Sequence, residues 1–156
     1  MRVRVATDAD LETVLALLRT DTMRTSPGAR PEPATVTDRQ RAAMAEIAAD
    51  PHAEVLVGEV DGRVVATCQL NWLRHLTHDG GLMCQIEAVR VDAAERGRGL
   101  GAQLMRHVLD EARARGCVRA QLTTHTERPD AHRFYRRLGF VPSHVGMKCY
   151  LGTEPA

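Results

Sequence analysis

The sequence predicts a single α/β domain of the α+β type, in which a central mixed sheet of about six to seven strands is flanked by about four helices. Three observations predict this class. The 156 residues suit one domain, residues 1–156, with one sizeable core. Hairpin signals join the strands in the middle of the chain, so the sheet is antiparallel there. A strand, a glycine-rich turn, a helix and another strand then follow in order, and that crossover makes the next strand parallel.

The first third of the chain predicts one strand and two helices. Residues 2–6 alternate in polarity, as a strand does. Thr7 and Asp10 offer N-cap chemistry for the helix that follows. Residues 23–33 hold three of the seven prolines and predict a loop, and a second helix is expected at residues 38–49.

Three antiparallel strands are expected next. Residues 54–60 and 63–73 are strand-like and are joined by Asp61-Gly62, a dipeptide favoured in two-residue hairpin turns. A second turn, Asp79-Gly80-Gly81, leads to a strand at residues 82–91.

The remaining chain completes the crossover. A helix is expected at residues 99–115, with Gly116 as its C-cap, and a buried parallel strand at residues 118–123. Pro129 suits the first turn of another helix, and residues 144–151 predict a last strand.

Composition excludes several classes of function. A formal net charge of +1 argues against non-specific binding of nucleic acid. The four cysteines are widely spaced and contain no C-x-x-C pair, so neither a zinc site nor a disulfide framework is expected. The first residues lack the apolar segment of a signal peptide, and no run reaches transmembrane length. We therefore expect a cytoplasmic protein with no metal, membrane or nucleic-acid partner.

A glycine-rich loop, residues 96–102, connects the predicted strand at residues 82–91 to the long helix. A helix N-terminus presents unpaired N–H groups and a partial positive charge, and glycines let a phosphate approach the backbone. Two arginines add fixed positive charge. The pattern predicts a phosphate-binding loop made of Arg96, Gly97, Arg98, Gly99, Leu100, Gly101 and Ala102.

Two ligand classes use such a loop. Gly97, Gly99 and Ala102 fit the loose dinucleotide fingerprint G-x-G-x-x-A. That fingerprint also needs an acidic residue after the next strand, about 20 residues on, for the ribose hydroxyl. Here the next predicted strand is followed by Thr124-His125-Thr126, with no carboxylate until Glu127, which disfavours a dinucleotide. A plain glycine-rich turn that caps a helix is the third interpretation.

Counted from Arg96, the same loop reads R-x-x-G-x-G followed by a small residue, and it resembles the coenzyme A pyrophosphate loop of the GNAT acyltransferase superfamily. The order of predicted elements is similar to the GNAT fold over the whole chain. The resemblance implies acetyl-CoA as co-substrate, with backbone groups of Val89 and Val91 beside the thioester and pantetheine and the Val89 N–H as oxyanion donor. The implied cofactor-binding residues are Val89, Arg90, Val91, Arg96, Gly97, Arg98, Gly99, Leu100, Gly101, Ala102 and Arg128.

A second match surrounds Tyr135. Ala131 precedes it by four residues and Leu138-Gly139-Phe140 follows, which resembles the GNAT segment whose tyrosine protonates the leaving thiolate. A phenol with a pKa near 10 is a competent acid toward an alkyl thiolate. The alternative is a core aromatic residue. Many family members have an asparagine seven residues earlier, where this chain has Arg128, which could bond a carbonyl or a phosphate.

Amine acetylation also needs a base, because an alkyl amine is mostly protonated at neutral pH. Glu87 is the only carboxylate inside the strand before the glycine-rich loop, at a position where the family often has a glutamate that acts through water. Gln85 lies on the same face and could orient that water. The alternative is a structural carboxylate paired with an arginine.

The expected activity is acetyl-CoA-dependent N-acetylation of a primary amine by direct attack in a ternary complex, with Glu87 and Tyr135 as catalytic residues. The acceptor is a small molecule or a protein or peptide amine, and formation of a homodimer stays open. One alternative is a non-catalytic acyl-CoA sensor of the same fold. A dinucleotide-binding domain is the less favoured one.

Overall fold

In the part of the chain that the structure describes, five strands form one mixed sheet and lie side by side in chain order. The computed structural model describes residues 1–20, 33–149 and 151. The first three pairings are antiparallel and the last is parallel. The predicted α/β class and the parallel crossover are therefore confirmed, whereas the expected six to seven strands were too many. The strands are β1 (Arg2–Val5), β2 (Ala53–Val60), β3 (Arg63–Arg74), β4 (Leu82–Val91) and β5 (Cys117–Leu122).

The described residues form five helices beside the sheet, one more than the approximate number expected. The extra one has four residues, and its His78 and Asp79 have left-handed φ angles of 55°. The predicted loop at residues 23–33 falls, apart from Pro33, outside the described residues. No helix in the described part of the chain is long and apolar enough to cross a membrane. The helices are α1 (Leu11–Arg19), α2 (Asp38–Ala49), α3 (Thr77–Gly80), α4 (Leu100–Ala114) and α5 (Pro129–Arg137).

Each face of the sheet has its own apolar cluster. On one face Leu70 and Ile86 are buried with Leu104 and Val108 of α4, and Phe134 of α5 packs at the edge of this cluster. The other face carries α1 and α2. There Val14 and Leu15 of α1 and Met44 of α2 pack with Val55 and Val57 of β2. The two helix pairs thus lie on opposite faces, and α1 and α4 both contact β4, the fourth of the five described strands.

An arginine network fastens the start of α1 to the sheet. Arg4 of β1 donates to both Asp10 carboxylate oxygens, at 2.7 and 2.8 Å, and to Glu59 of β2. Asp10 also accepts from the Thr7 N–H at 2.7 Å. These donors hold the pKa of Asp10 well below its usual range. From this anchor α1 crosses the sheet and packs on β3 and β4.

The strand predicted at residues 144–151 is wrong for the described part of that segment. Residues 144–149 and 151 form no strand, and Val145 and Met147 are 88% and 92% exposed. Among the described residues β5 pairs only with β4. Alternating apolar residues form a strand only where a neighbouring strand can share backbone hydrogen bonds with them. None of the described strands pairs with this segment.

Candidate active site

Strand β4 has two halves with different neighbours. Its first half pairs with β3 on one side and with β5 on the other, and the pairing to β5 ends at Ile86 and Leu122. Among the described strands, only β3 pairs with residues 87–91. Because β5 stops there, residues 87–91 have an edge that faces a gap between β4 and β5, and we call it the open edge.

A β-bulge lies within the open edge. The register passes from Gln69 opposite Glu87 to Thr67 opposite Arg90, so β4 contains one residue more than β3. Ala88 takes up the extra residue with a φ of 55°, a conformation that is costly for a residue with a Cβ. A bulge re-aims the strand, and a strained position held by its surroundings often marks a functional site.

Beyond the bulge the backbone of β4 is oriented by one hydrogen bond. The N–H of Asp92 donates to the Val65 carbonyl of β3 at 2.8 Å. Successive residues of a strand direct their N–H groups to opposite sides, so those of Val91 and Val89 are directed toward the open edge. The carbonyl of Val89 accepts from the Arg90 guanidinium at 2.7 Å. The side chains of Val89 and Val91 pack on the α4 face.

The glycine-rich loop joins this strand to α4 without a cap. Gly97 and Gly99 have φ angles of 79° and 76°, and no side chain caps the helix at Gly99. The first helical bond runs from the Gln103 N–H to the Gly99 carbonyl at 3.0 Å. The preceding N–H groups, from Leu100 to Ala102, have no acceptor within the helix, and no acidic residue lies in its first turn. The loop can therefore bind an external anion.

The two arginines of the loop differ in their partners. Arg98 forms an ion pair with Glu95, which also lies 3.4 Å from Arg63. Arg96 is exposed and has no ion pair within the described ranges. Glu95 thus neutralises part of the charge on Arg98, whereas Arg96 keeps its full charge for a ligand.

Gly101 sets the spacing between this loop and α5. A Cβ at Gly101 would lie 3.4 Å from both Phe134 and Val91. A larger, branched side chain at this position would press on Phe134, and the first turn of α4 would lose its close contact with α5.

Helix α5 places Tyr135 next to β4. Its ring packs edge-on against Phe134 and Phe140, at centroid distances of 5.0 and 5.7 Å. Burial raises the pKa of Tyr135 above its ordinary value of 10; nearby Arg128 and Arg90 oppose the rise, and Cys68 and Glu87 add to it. Tyr135 and Phe134 of α5 pack at the edge of the apolar cluster that contains Ile86 of β4, whereas the side chain of Glu87 is on the opposite face of that strand.

Glu87 accepts a hydrogen bond from a chain of amides. Gln85 donates to Glu87 at 2.7 Å, and Gln121 of β5 donates to Gln85 at 2.7 Å. Gln85 therefore contacts Glu87 directly. No arginine forms an ion pair with Glu87 in the described part of the chain, which leaves its alternative structural role without the expected partner. Glu87 lies opposite Gln69, on the sheet face that packs against α1.

Two features of this site were not predicted from the sequence. The bulge is centred on an alanine, and nothing in the local sequence marks residue 88 for a left-handed φ. Gln121 could have been found by alternation along β5, because it shares the polar face with Gln85, but the register between the strands was needed to pair them. Among the described residues no group of three or more His, Cys, Asp or Glu side chains could hold a metal ion.

Comparison with known proteins gives consistent results. A sequence profile of the Acetyltransferase (GNAT) family matches residues 15–140. The chain is 35% identical over 123 residues to glucosamine 6-phosphate N-acetyltransferase 1 of Oryza sativa, covering 77% of this chain and 73% of that protein. It is also 35% identical to the aminoalkylphosphonate N-acetyltransferase of Salmonella typhimurium over 95 residues, 61% of each chain.

Among solved structures, a protein of Bacillus halodurans described as a transcriptional regulator superposes with a TM-score of 0.87. It shares 36% identity, and the match covers 95% of this chain and 97% of that one.

Proposed function

The chain belongs to the GNAT family of acetyltransferases, and on that premise we propose that it transfers an acetyl group from acetyl-CoA to the primary amine of a small molecule. The observation that carries this proposal is that the uncapped start of α4 lies against both the open edge of β4 and helix α5: a Cβ on Gly101 would contact Val91 and Phe134, and Tyr135 packs against Phe134. Acetyl-CoA supplies an activated thioester. The protein therefore has to bind the two substrates, orient them and move protons to and from the reacting groups.

The residues present fit the co-substrate. The unpaired N–H groups at the start of α4 and the charge of Arg96 suit a pyrophosphate. The open edge offers the N–H groups of Val89 and Val91 to an extended, amide-containing arm, which can pair there as a further strand would. The bulge holds the Val89 N–H in place, where it can stabilise the negative charge that develops on the thioester oxygen. Arg128 is at the start of the helix that carries Tyr135, where its positive charge can contact the same arm.

Two side chains exchange the protons. Glu87, oriented by Gln85 and Gln121, accepts a proton from the incoming ammonium or from a water beside it. Tyr135 gives its proton to the departing thiolate. Burial raises the pKa of Tyr135 above its ordinary value of 10, so the hydroxyl carries its proton near neutral pH.

The relatives support a small acceptor. By their names, the rice and Salmonella enzymes acetylate an amino sugar phosphate and an aminoalkylphosphonate. In this chain the polar face of β3, β4 and β5 carries a row of amides with one carboxylate, and such a surface can bind a small polar amine. The row consists of Gln69, Asn71, Gln85, Glu87 and Gln121.

A two-step experiment tests the proposal. We expect acetyl-CoA, but neither NAD nor NADP, to raise the melting temperature of the protein, because a ligand that binds only the folded state stabilises it. Release of free thiol from acetyl-CoA is then measured across a set of small primary amines. Stabilisation by NAD with no response to acetyl-CoA would contradict the assignment of the glycine-rich loop.

Replacing Arg96 tests the pyrophosphate contact. We expect Arg96→Ala to weaken acetyl-CoA binding roughly 3- to 30-fold, since a charge-assisted bond to phosphate is lost. Arg98→Ala is the matched control and should have a smaller effect, because Glu95 already neutralises part of that charge. Isothermal calorimetry at two salt concentrations measures both, and the difference should shrink at high salt. A larger loss in Arg98→Ala would reverse the two roles.

A regulatory function is the second candidate, because the similar Bacillus halodurans protein is described as a transcriptional regulator. A sensor would bind acetyl-CoA through the same loop and the same open edge. It would release no thiol with any amine, so the thiol assay distinguishes it from an enzyme.

A further inference from the structure

The last turn of α1 carries a guanidinium whose hydrogen bonding is incomplete. Arg19 is half-buried at the end of the helix. Its Nε and Nη2 atoms are shielded from solvent, and no acceptor bonds either of them within the part of the chain that the structure describes. Buried donors in proteins almost always have a partner, and those of a charged group are the most costly to leave without one. The arrangement therefore calls for an acceptor from outside.

The two unpaired atoms specify the kind of acceptor. Nε–H and Nη2–H lie on the same edge of a guanidinium and donate in parallel, which suits the oxygens of a phosphate, a phosphonate or a carboxylate. Arg4 shows this use within the same molecule. Its Nε and Nη2 atoms both donate to the Glu59 carboxylate, at 3.0 and 2.7 Å. In Arg4 a carboxylate of the same chain accepts the hydrogen bonds from these two atoms. In Arg19 no described residue accepts them.

Arg19 lies on the side of the sheet that carries the proposed base. Helix α1 begins beside β1, where Arg4 holds Asp10, and its body packs on β3 and β4. Its apolar residues share a face with Val57, which is opposite Thr67 in β3. Glu87 is on that same face, whereas α4 and its glycine-rich loop start on the other. Arg19 thus lies on the face that carries Glu87 and not on the face where the glycine-rich loop begins α4.

We propose that Arg19 binds an oxyanion of the acceptor, so that the substrates are primary amines that also carry a phosphate, phosphonate or carboxylate group. This inference rests on the proposed function and names the substrate class of the same site. Binding of the anion would leave the amine near Glu87 while the paired guanidinium fixes the other end, which orients the nucleophile for attack.

Binding measured with coenzyme A present tests this without relying on turnover. The protein is saturated with coenzyme A, which occupies the glycine-rich loop, and 2-aminoethylphosphonate is titrated in by calorimetry. We expect the wild type to bind it and Arg19→Gln to bind it roughly 10- to 100-fold more weakly, because two charge-assisted bonds are lost. Arg19→Lys should be intermediate, since it keeps the charge but not the paired donors.

Two controls isolate the anion. Arg106→Ala removes one exposed positive charge from α4 on the other face and should leave the affinity unchanged. Propylamine, which has the amine but no anion, should bind weakly and equally to wild type and Arg19→Gln. Repeating the titration with 3-aminopropanoate separates a carboxylate from a phosphonate, and the tighter of the two identifies the anion.

The outcomes that overturn the inference differ from those that overturn the proposed function. If the protein does not bind coenzyme A, both the proposed function and the role of Arg19 are contradicted. If coenzyme A binds, equal affinities of wild type and Arg19→Gln for 2-aminoethylphosphonate would remove the role of Arg19 alone. A lower melting temperature of Arg19→Gln with unchanged affinity would mean that the guanidinium is structural.

Discussion

Tyr135→Phe is expected to lower turnover roughly 10²- to 10⁴-fold while acetyl-CoA affinity stays close to that of the wild type. The substitution removes one hydroxyl and keeps the ring, so the edge-on packing with Phe134 and Phe140 survives. What is lost is a buried acid beside the thiolate. Without it the thiolate leaves unprotonated into a poorly solvated gap, and that step becomes the slowest.

The measurement separates chemistry from binding. Turnover is followed as thiol release with an acceptor from the amine screen, and calorimetry with coenzyme A confirms that the cofactor site is intact. The melting temperature should change little, because the hydroxyl of Tyr135 has no hydrogen-bond partner in the described ranges. A variant that turns over at the wild-type rate would mean that water or another group protonates the thiolate, and Tyr135 would then be a packing residue.

Two elements with strong local sequence signals begin and end at the predicted residues. Helix α2 forms at Asp38–Ala49, as expected. Thr37 and Gln40 cap its start, and Asp50-Pro51 follows its end. Strand β4 likewise covers Leu82–Val91 as expected. Both depend on residues within a few positions of each element, so the sequence alone was sufficient.

The features that were not predicted correctly depend on residues far apart in the sequence. Residues 144–149 alternate as a strand would, but a strand also needs an edge to pair with, and that depends on the whole sheet. The same holds for the site. The glycine-rich loop is local and could be predicted, whereas the gap exists because β5 ends opposite Ile86. The positions of Tyr135 and Glu87 relative to each other follow from how α5 packs on the sheet, which no spacing in the sequence encodes.

Glu87→Gln is expected to reduce kcat/KM about 10²-fold or more near neutral pH, with most of the loss recovered as the pH approaches 10. An alkyl amine has an ordinary pKa near 10, so at pH 7 almost all of the acceptor carries a proton that must be removed before attack. At high pH the free amine is abundant and no base is needed. A loss that shrinks with pH is therefore the signature of a base, and a merely structural carboxylate would not produce it.

The hydrogen bond from Gln85 makes Glu87→Gln a conservative substitution. Gln85 donates to Glu87 at 2.7 Å, and an amide at position 87 can still accept that bond through its oxygen. The fold and the orientation of the side chain should survive, and only the capacity to take up a proton is lost. Glu46→Gln makes the same chemical change on the exposed side of α2 and should leave both the rate and the pH profile unchanged.

Gln85→Ala separates orientation from proton transfer. Removing the amide frees Glu87 to rotate but leaves it as a base, so the rate near neutral pH should fall by a smaller factor than in Glu87→Gln, and the acid limb of the profile should persist. Glu87→Gln alone should change the shape. If Glu87→Gln instead keeps the wild-type pH dependence, the proton leaves by another route. His125, partly exposed in the segment between β5 and α5, would then be the next residue to replace, because a neutral imidazole can accept a proton from an amine.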